Sequence, residues 1–278
     1  MARIKKYIAG GCSFTFGHEL SDDDGGKTPS KKSWAYQLFD KTRYPGANVD
    51  YVTAAWPGTG NCGIARRVFE AVQHHSKEEN NSAVDCVVVM WSFLSRYDWA
   101  MPRHKALENT RWTTISPWDT KISDNERHRA LMGSEIQQAQ WKHREELMHE
   151  TGVKPFAESI YKYAANEYHE TYLSWKSIIW LQNILEKKKI PFVFTLADNS
   201  LFYKEFNHYK DQDPLMMALY DEIDFTKWFS FGERMMGFNQ WSLMENYARG
   251  TTHPLDEAHQ DAVKLMIPEF KRITKRMK

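Results

Sequence analysis

The heptapeptide Val84-Asp85-Cys86-Val87-Val88-Val89-Met90 limits the fold more than any other stretch of the chain. It is β-branched and almost wholly apolar, so neither face suits contact with water. A strand of this kind belongs inside a parallel sheet covered by helices on both sides. Residues 4–9, 48–55 and 190–199 read as further strands, with helical patterns over 33–40, 64–75 and 156–189 between them. Alternating strands and helices imply an α/β fold, a parallel sheet flanked by helices. At 278 residues the chain is read as one domain, 1–278, with a helical, aromatic-rich insertion at about 101–155 that includes a helix over 134–150. No internal repeat or low-complexity tract interrupts it.

The apolar run leads into Trp91-Ser92-Phe93-Leu94-Ser95-Arg96-Tyr97-Asp98. Polar groups there emerge at the carboxyl end of the sheet, where open α/β sheets bind ligands. Arg96 beside Asp98 forms a local ion pair or faces the site; the pattern leaves both open. Two other strands end in glycine-rich turns. The first is Gly10-Gly11-Cys12-Ser13-Phe14-Thr15-Phe16-Gly17, followed by a polar loop. It suits a nucleophile, since a tight turn presents a serine and a helix N-terminus offers free N–H groups to developing negative charge. An ordinary turn with a capping serine fits the octapeptide equally well. The second is Trp56-Pro57-Gly58-Thr59-Gly60-Asn61-Cys62-Gly63. Its glycines loosely match a dinucleotide fingerprint, but no phosphate-binding lysine follows, and the turn is read as a backbone-donor loop facing the first.

Near the other end, Gly250-Thr251-Thr252-His253-Pro254-Leu255-Asp256-Glu257-Ala258-His259 opens an amphipathic helix. Proline in the first turn leaves His253 on the preceding loop, free to meet a serine from another strand end. Asp256 and His259 lie one turn apart on the helix, where the plain readings are a dipole-satisfying acid and a packing histidine. The loop Ser21-Asp22-Asp23-Asp24-Gly25-Gly26-Lys27 lacks the alternating oxygens of a calcium site and reads as solvated.

Four segments together resemble the SGNH/GDSL hydrolases, in the branch whose first block reads Gly-Cys-Ser-Phe-Thr. They are Gly11–Thr15, Pro57–Asn61, Val87–Arg96 and Thr252-His253-Pro254 followed by Ala258-His259. The resemblance implies a flavodoxin-like three-layer fold and a serine esterase or acylhydrolase, with carbohydrate deacetylation one form of it. It makes Ser13 the nucleophile, His253 the base and Gly58 an oxyanion donor. Two features depart from the family pattern. The last block should read Asp-x-x-His, but Gly250 stands three residues before His253. The third block lacks its oxyanion asparagine, for which Asn61 or Ser92 is the substitute. A backbone carbonyl, Thr251 or Asp256 then orients His253, unless Asp256 and His259 form the working pair. Cys12 is weighed as nucleophile and set aside, because its side chain alternates away from that of Ser13. Many chains of this branch are phage and bacterial proteins, and a catalytically weak binding or virion-associated module on the same scaffold is the competing expectation.

Charge and composition narrow the partners. With 37 basic and 36 acidic residues the formal charge is +1, which argues against nucleic acid or membrane surfaces. Aromatic residues make up 14% of the chain, including 11 Trp, which suits a braced interior or a surface that stacks sugar rings. Cys12, Cys62 and Cys86 lie apart, so no metal and no disulfide framework is expected. The expected partner is a small-molecule or glycan ester, with no cofactor. Without an apolar leader or a membrane-length apolar run, a cytoplasmic location (host cytoplasm or virion if viral) is expected.

Overall fold

β1 (Ile4–Gly10) and β3 (Ser82–Trp91) form the centre of a four-stranded parallel sheet. β2 (Val49–Thr53) flanks β1. A hairpin of β4 (Tyr97–Ala100) and β5 (Trp112–Ile115) precedes the last sheet strand, β6 (Phe192–Leu196), which flanks β3 and completes the order β2-β1-β3-β6. The computed structural model describes residues 3–44, 46–102, 111–120, 142, 146–202 and 213–275.

The pleat of β3 explains the layering. Cys86, Val88 and Met90 point to one face and Val87, Val89 and Trp91 to the other, and all six are fully buried. The first face packs on α2 (Trp34–Thr42) and the C-terminal α8 (Asp256–Thr274), through Trp34, Leu38, Ala262, Val263, Met266 and Phe270. The second packs on α3 (Asn61–His75) and α5 (Glu167–Lys187), through Ile64, Val68, Trp175, Ile178, Leu181 and Leu185. This is the expected parallel sheet between helical layers.

The topology selects one place for chemistry. From β1 the chain passes through α2 to β2 on one side. It then returns through α3 to β3 on the other side of β1. The order therefore reverses between β1 and β3, and the loops leaving their carboxyl ends diverge to leave a crevice. α1 (Ser13–Phe16) opens there.

One expectation needs correction. The pattern over 156–189 is two helices, α4 (Val153–Tyr163) and α5, because Asn166 caps the second by accepting the His169 N–H at 2.9 Å. The region 101–155, expected to be partly helical, also holds β5, which pairs antiparallel with β4; the hairpin packs with Val153, Ala157 and Ile160 of α4 in a separate apolar cluster. Residues 146–150 are helical, and most of the expected helix over 134–150 lies outside the described residues. α6 (Pro214–Asp221) and α7 (Phe238–Met244) lie between β6 and α8.

Close approach of α3 to β1 depends on Gly10, where a Cβ would overlap Val68 Cγ2. Gly10→Ala is expected to lower stability by about 1–3 kcal/mol through overpacking, seen as a lower denaturant midpoint. An unchanged midpoint would mean that the helix is not seated so tightly on the strand.

Candidate active site

Ser13 owes its position to β1. The strand ends at Gly10, Cys12 is extended, and Ser13 is the first residue of α1, so its N–H has no acceptor within the helix. Gly11 is required by crowding, since a Cβ there would collide with Thr15 Oγ1. The second glycine-rich turn lies alongside, because the N–H groups of Ala54 and Trp56 donate to the carbonyls of Ala9 and Gly11 at 2.7 and 3.1 Å. Gly58 in that turn has φ +78°, and a Cβ placed there would meet only open space. The need at this position is thus conformational, and its backbone borders unfilled volume.

The histidine arrives from the far end of the chain. His253 is buried, edge-on to Phe14 with ring centroids 4.8 Å apart, and its Nε2 lies 2.7 Å from Ser13 Oγ. The other ring nitrogen, Nδ1, lies 2.8 Å from Oε2 of Glu19 and 2.9 Å from Thr252 Oγ1. Glu19 also accepts backbone N–H groups from Thr251 at 2.8 Å, Thr252 at 3.0 Å and His253 at 2.9 Å. Burial pushes this carboxyl up. The bonds from the His253 ring and from the Thr252 and His253 backbone outweigh that, and hold it far below the usual carboxylate range. An ionised carboxylate can only accept, so the imidazole proton sits on Nδ1 and Nε2 offers its lone pair to the serine hydroxyl.

Gly250 and Glu19 account for each other. A Cβ on residue 250 would come within 2.9 Å of Glu19 Cδ and Oε2. The Glu19 carboxylate thus fills the space that a side chain three residues before His253 would enter. Glu19 itself sits at φ +65°, an uncommon conformation for a side-chain-bearing residue. Its N–H is fixed by Asp23 Oδ2 at 2.8 Å, while Asp23 Oδ1 accepts from Gly25 and Gly26 at 3.1 and 2.8 Å. Asp24 likewise accepts the N–H groups of Lys27 and Thr28. The aspartate run therefore shapes the loop that presents Glu19, and no group of three potential metal ligands occurs among the described residues.

Sequence reasoning missed Glu19. The cue was an acid six residues after the serine, in the same turn, combined with a glycine where the acid was sought.

The remaining candidates divide. Asp256 does not fold back on His253: it accepts the Ser21 N–H and hydroxyl at 3.0 and 2.6 Å and pairs with Lys32 at 2.7 Å. Nor does it form a pair with His259, which is fully buried, edge-on to Phe238, with Nδ1 accepting the Trp34 N–H at 3.0 Å. That bond satisfies the first N–H of α2 and pins α8 to it. Thr251 offers Glu19 its N–H rather than orienting the ring alone. Asn61 and Ser92 are bound to each other: the Asn61 amide accepts the Ser92 N–H at 2.7 Å and donates to the Ser92 carbonyl and to Ser174 Oγ at 3.2 and 3.0 Å. Asn61 thereby clamps the loop after β3, and its donors are occupied. Arg96 donates to Ser92 Oγ at 2.9 Å and does not pair with Asp98, which Arg66 takes at 2.8 and 3.0 Å.

No protein-family model and no curated protein matches the chain. Among solved structures, it is similar over 98% of its length to the psychrotrophic esterase EstA from a Pseudoalteromonas species, in a form inhibited by monoethylphosphonate (10% identity, TM-score 0.42, 97% of that chain). It is similar to the acetyl xylan esterase Est2A from the rumen bacterium Butyrivibrio proteoclasticus at 11% identity and TM-score 0.42, with 98% of this chain covered, but spans only 64% of that protein. It is also similar to a member of the lipolytic protein G-D-S-L family from Veillonella parvula (11% identity, TM-score 0.39, 98% of this chain and all of that one).

Burial lowers the pKa of His259 to about 3, with the charge of nearby His253 acting in the same direction. Between pH 6.5 and about 3 the unfolded chain binds a proton here that the folded chain refuses. Stability therefore falls as pH falls through that window, by up to about 1.4 kcal/mol per unit from this group. Denaturant melts from pH 7 to 5 should show this slope, and His259→Gln should flatten it. An equal slope in the variant would contradict the buried, neutral imidazole.

Proposed function

We propose that the chain is a serine ester hydrolase of the SGNH/GDSL kind, with Ser13 as nucleophile, His253 as base and Glu19 as the acid that holds the base. One observation carries this reading: an unbroken line from the Ser13 hydroxyl to the imidazole at 2.7 Å and from the imidazole to a carboxylate at 2.8 Å. Residues 240 and 234 apart in sequence meet there, which ordinary capping of a helix does not require.

Ser13 Oγ attacks the ester carbonyl as His253 Nε2 takes its proton. The imidazolium then gives that proton to the departing alcohol, leaving an acyl-serine. A water, deprotonated by the same nitrogen, attacks the acyl carbon and regenerates the serine, releasing the acid. Glu19 keeps the proton on Nδ1 and stabilises the transient imidazolium charge. The N–H groups of Ser13 and Gly58 face the developing oxyanion. The Trp56 and Gly58 turn suits a sugar-bearing alcohol: Trp56, exposed immediately before the turn, carries the Arg67 guanidinium over its ring at 5.1 Å, an aromatic–cation surface for sugar hydroxyls. A small acyl group on a carbohydrate is the substrate this favours.

A fluorophosphonate probe should label the wild-type protein at Ser13 and Ser13→Ala should not be labelled. Short p-nitrophenyl esters should be turned over, and Glu19→Gln should reduce kcat by about 10⁴-fold, the loss seen when a serine protease's acid is replaced by its amide. Absence of both labelling and turnover would favour a binding module on the same scaffold.

In the folded chain the Glu19 carboxyl titrates below its ordinary 4.5. Its stabilising contribution is therefore present above about pH 4.5 and is lost as pH falls below it. The stability gap between wild type and Glu19→Gln should narrow from pH 6 to pH 3, measured by thermal melts. A gap that is constant with pH would mean that the carboxylate is not so held.

A further inference from the structure

We propose that Arg96 is a specificity-determining residue that binds a carboxylate carried by the substrate, so that the preferred esters are acidic ones. The inference rests on the ester-hydrolase reading above and adds the charge of the substrate to it.

Arg96 is partly buried in the loop that leaves the carboxyl end of β3, just before β4. Its guanidinium lies over the Phe93 ring, 4.8 Å from the centroid, and Nη1 donates to Ser92 Oγ at 2.9 Å. Nη1 is also 3.5 Å from the carbonyl of Thr59, the residue after Gly58. The cation is therefore held one residue from the proposed oxyanion donor. Phe93 in turn meets Phe14, which meets His253, at centroid distances of 6.0 and 4.8 Å. Stacking and the serine bond fix the plane of the guanidinium, so its remaining edge is preorganised.

That edge has no acceptor among the described residues. Among the described residues, Nε and Nη2 make no hydrogen bond and no carboxylate lies within ion-pair distance of Arg96. The acid two positions away in sequence is engaged elsewhere: Asp98, with a side chain only 2% exposed, receives both Nε and Nη2 of Arg66. Glu19, the acid of the neighbouring turn, is committed to His253 and three backbone N–H groups. A partly desolvated guanidinium without a counter-charge is costly to a fold. Its free Nε–Nη2 edge matches the two oxygens of a carboxylate. A carboxylate a few bonds from the scissile carbonyl would give Arg96 the ion-pair partner that the described residues do not.

The test compares two matched pairs of esters under one protocol. p-Nitrophenyl hemiadipate against its methyl ester places the charge on the acyl side. 4-(Acetoxymethyl)benzoate against its methyl ester places it on the alcohol side. Rates are normalised to Ser13 sites labelled by a fluorophosphonate. Wild type should favour the acid of at least one pair by about tenfold or more in kcat/KM, as expected for a charge-assisted bond. The difference should lie mainly in KM and shrink with added salt. Arg96→Gln should bring the ratio close to one, and Arg96→Lys should restore part of it, with thermal melts showing that both variants fold. A ratio near one for both pairs in labelled wild-type protein overturns the assignment of Arg96 while leaving the hydrolase intact. A preference that persists in Arg96→Gln does the same. Absence of Ser13 labelling removes the hydrolase reading and this inference with it.

Discussion

The carboxylate of Glu19 ties the two ends of the chain together at the site. It gathers three consecutive backbone N–H groups, those of Thr251, Thr252 and His253, and the ring of His253 as well. Without it, the loop before α8 would present several unpaired donors beside a buried imidazole, a costly state. With it, the histidine has one orientation and one tautomer. The ionised acid is thus a structural clamp and the group that orients the His253 ring. The same bonds that fix the loop keep the carboxyl ionised, so the two roles cannot be separated.

Several features of the first loop serve that clamp. Gly17 closes α1 in the left-handed region at φ +90°, and Glu19 follows at φ +65° with Asp23 holding its N–H. Strain of this kind persists where the surroundings over-determine it, and it collects at functional sites. On the opposing strand of the contact, the absent side chain of Gly250 makes room for the carboxylate. Arg249 braces the same loop through the Thr252 carbonyl and Asn239 Oδ1, at 2.7 and 2.8 Å. The carboxylate thus reaches the imidazole from the loop after α1, across the space left by Gly250.

The sheet was legible because burial on two faces leaves a plain mark: the run through Val87, Val88 and Val89 has no polar alternation to suggest an exposed side. The turn at Ser13 and the loop at His253 were legible from glycine and proline, which act locally. Glu19 was not, because its role depends on a contact 234 residues away and on a left-handed backbone that its residue type does not announce. Asn61 misled for a related reason. An amide beside an expected oxyanion turn looks like a donor, yet its hydrogens serve Ser92 and Ser174, partners that only the folded chain brings near. Arg96 and Asp98 lie two apart in sequence but face different partners, because Arg96 precedes β4 and Asp98 lies on it. The break between α4 and α5 escaped the helical pattern because the aromatic stripe runs on across the Asn166 cap.

Glu19 and no other described acid holds the imidazole of His253. Proton NMR of the ¹⁵N-histidine-labelled protein observes that bond directly. A far-downfield Nδ1 proton resonance assigned to His253 should be retained in Asp256→Asn and absent in Glu19→Gln. A resonance that survives loss of Glu19, or vanishes with loss of Asp256, would contradict it.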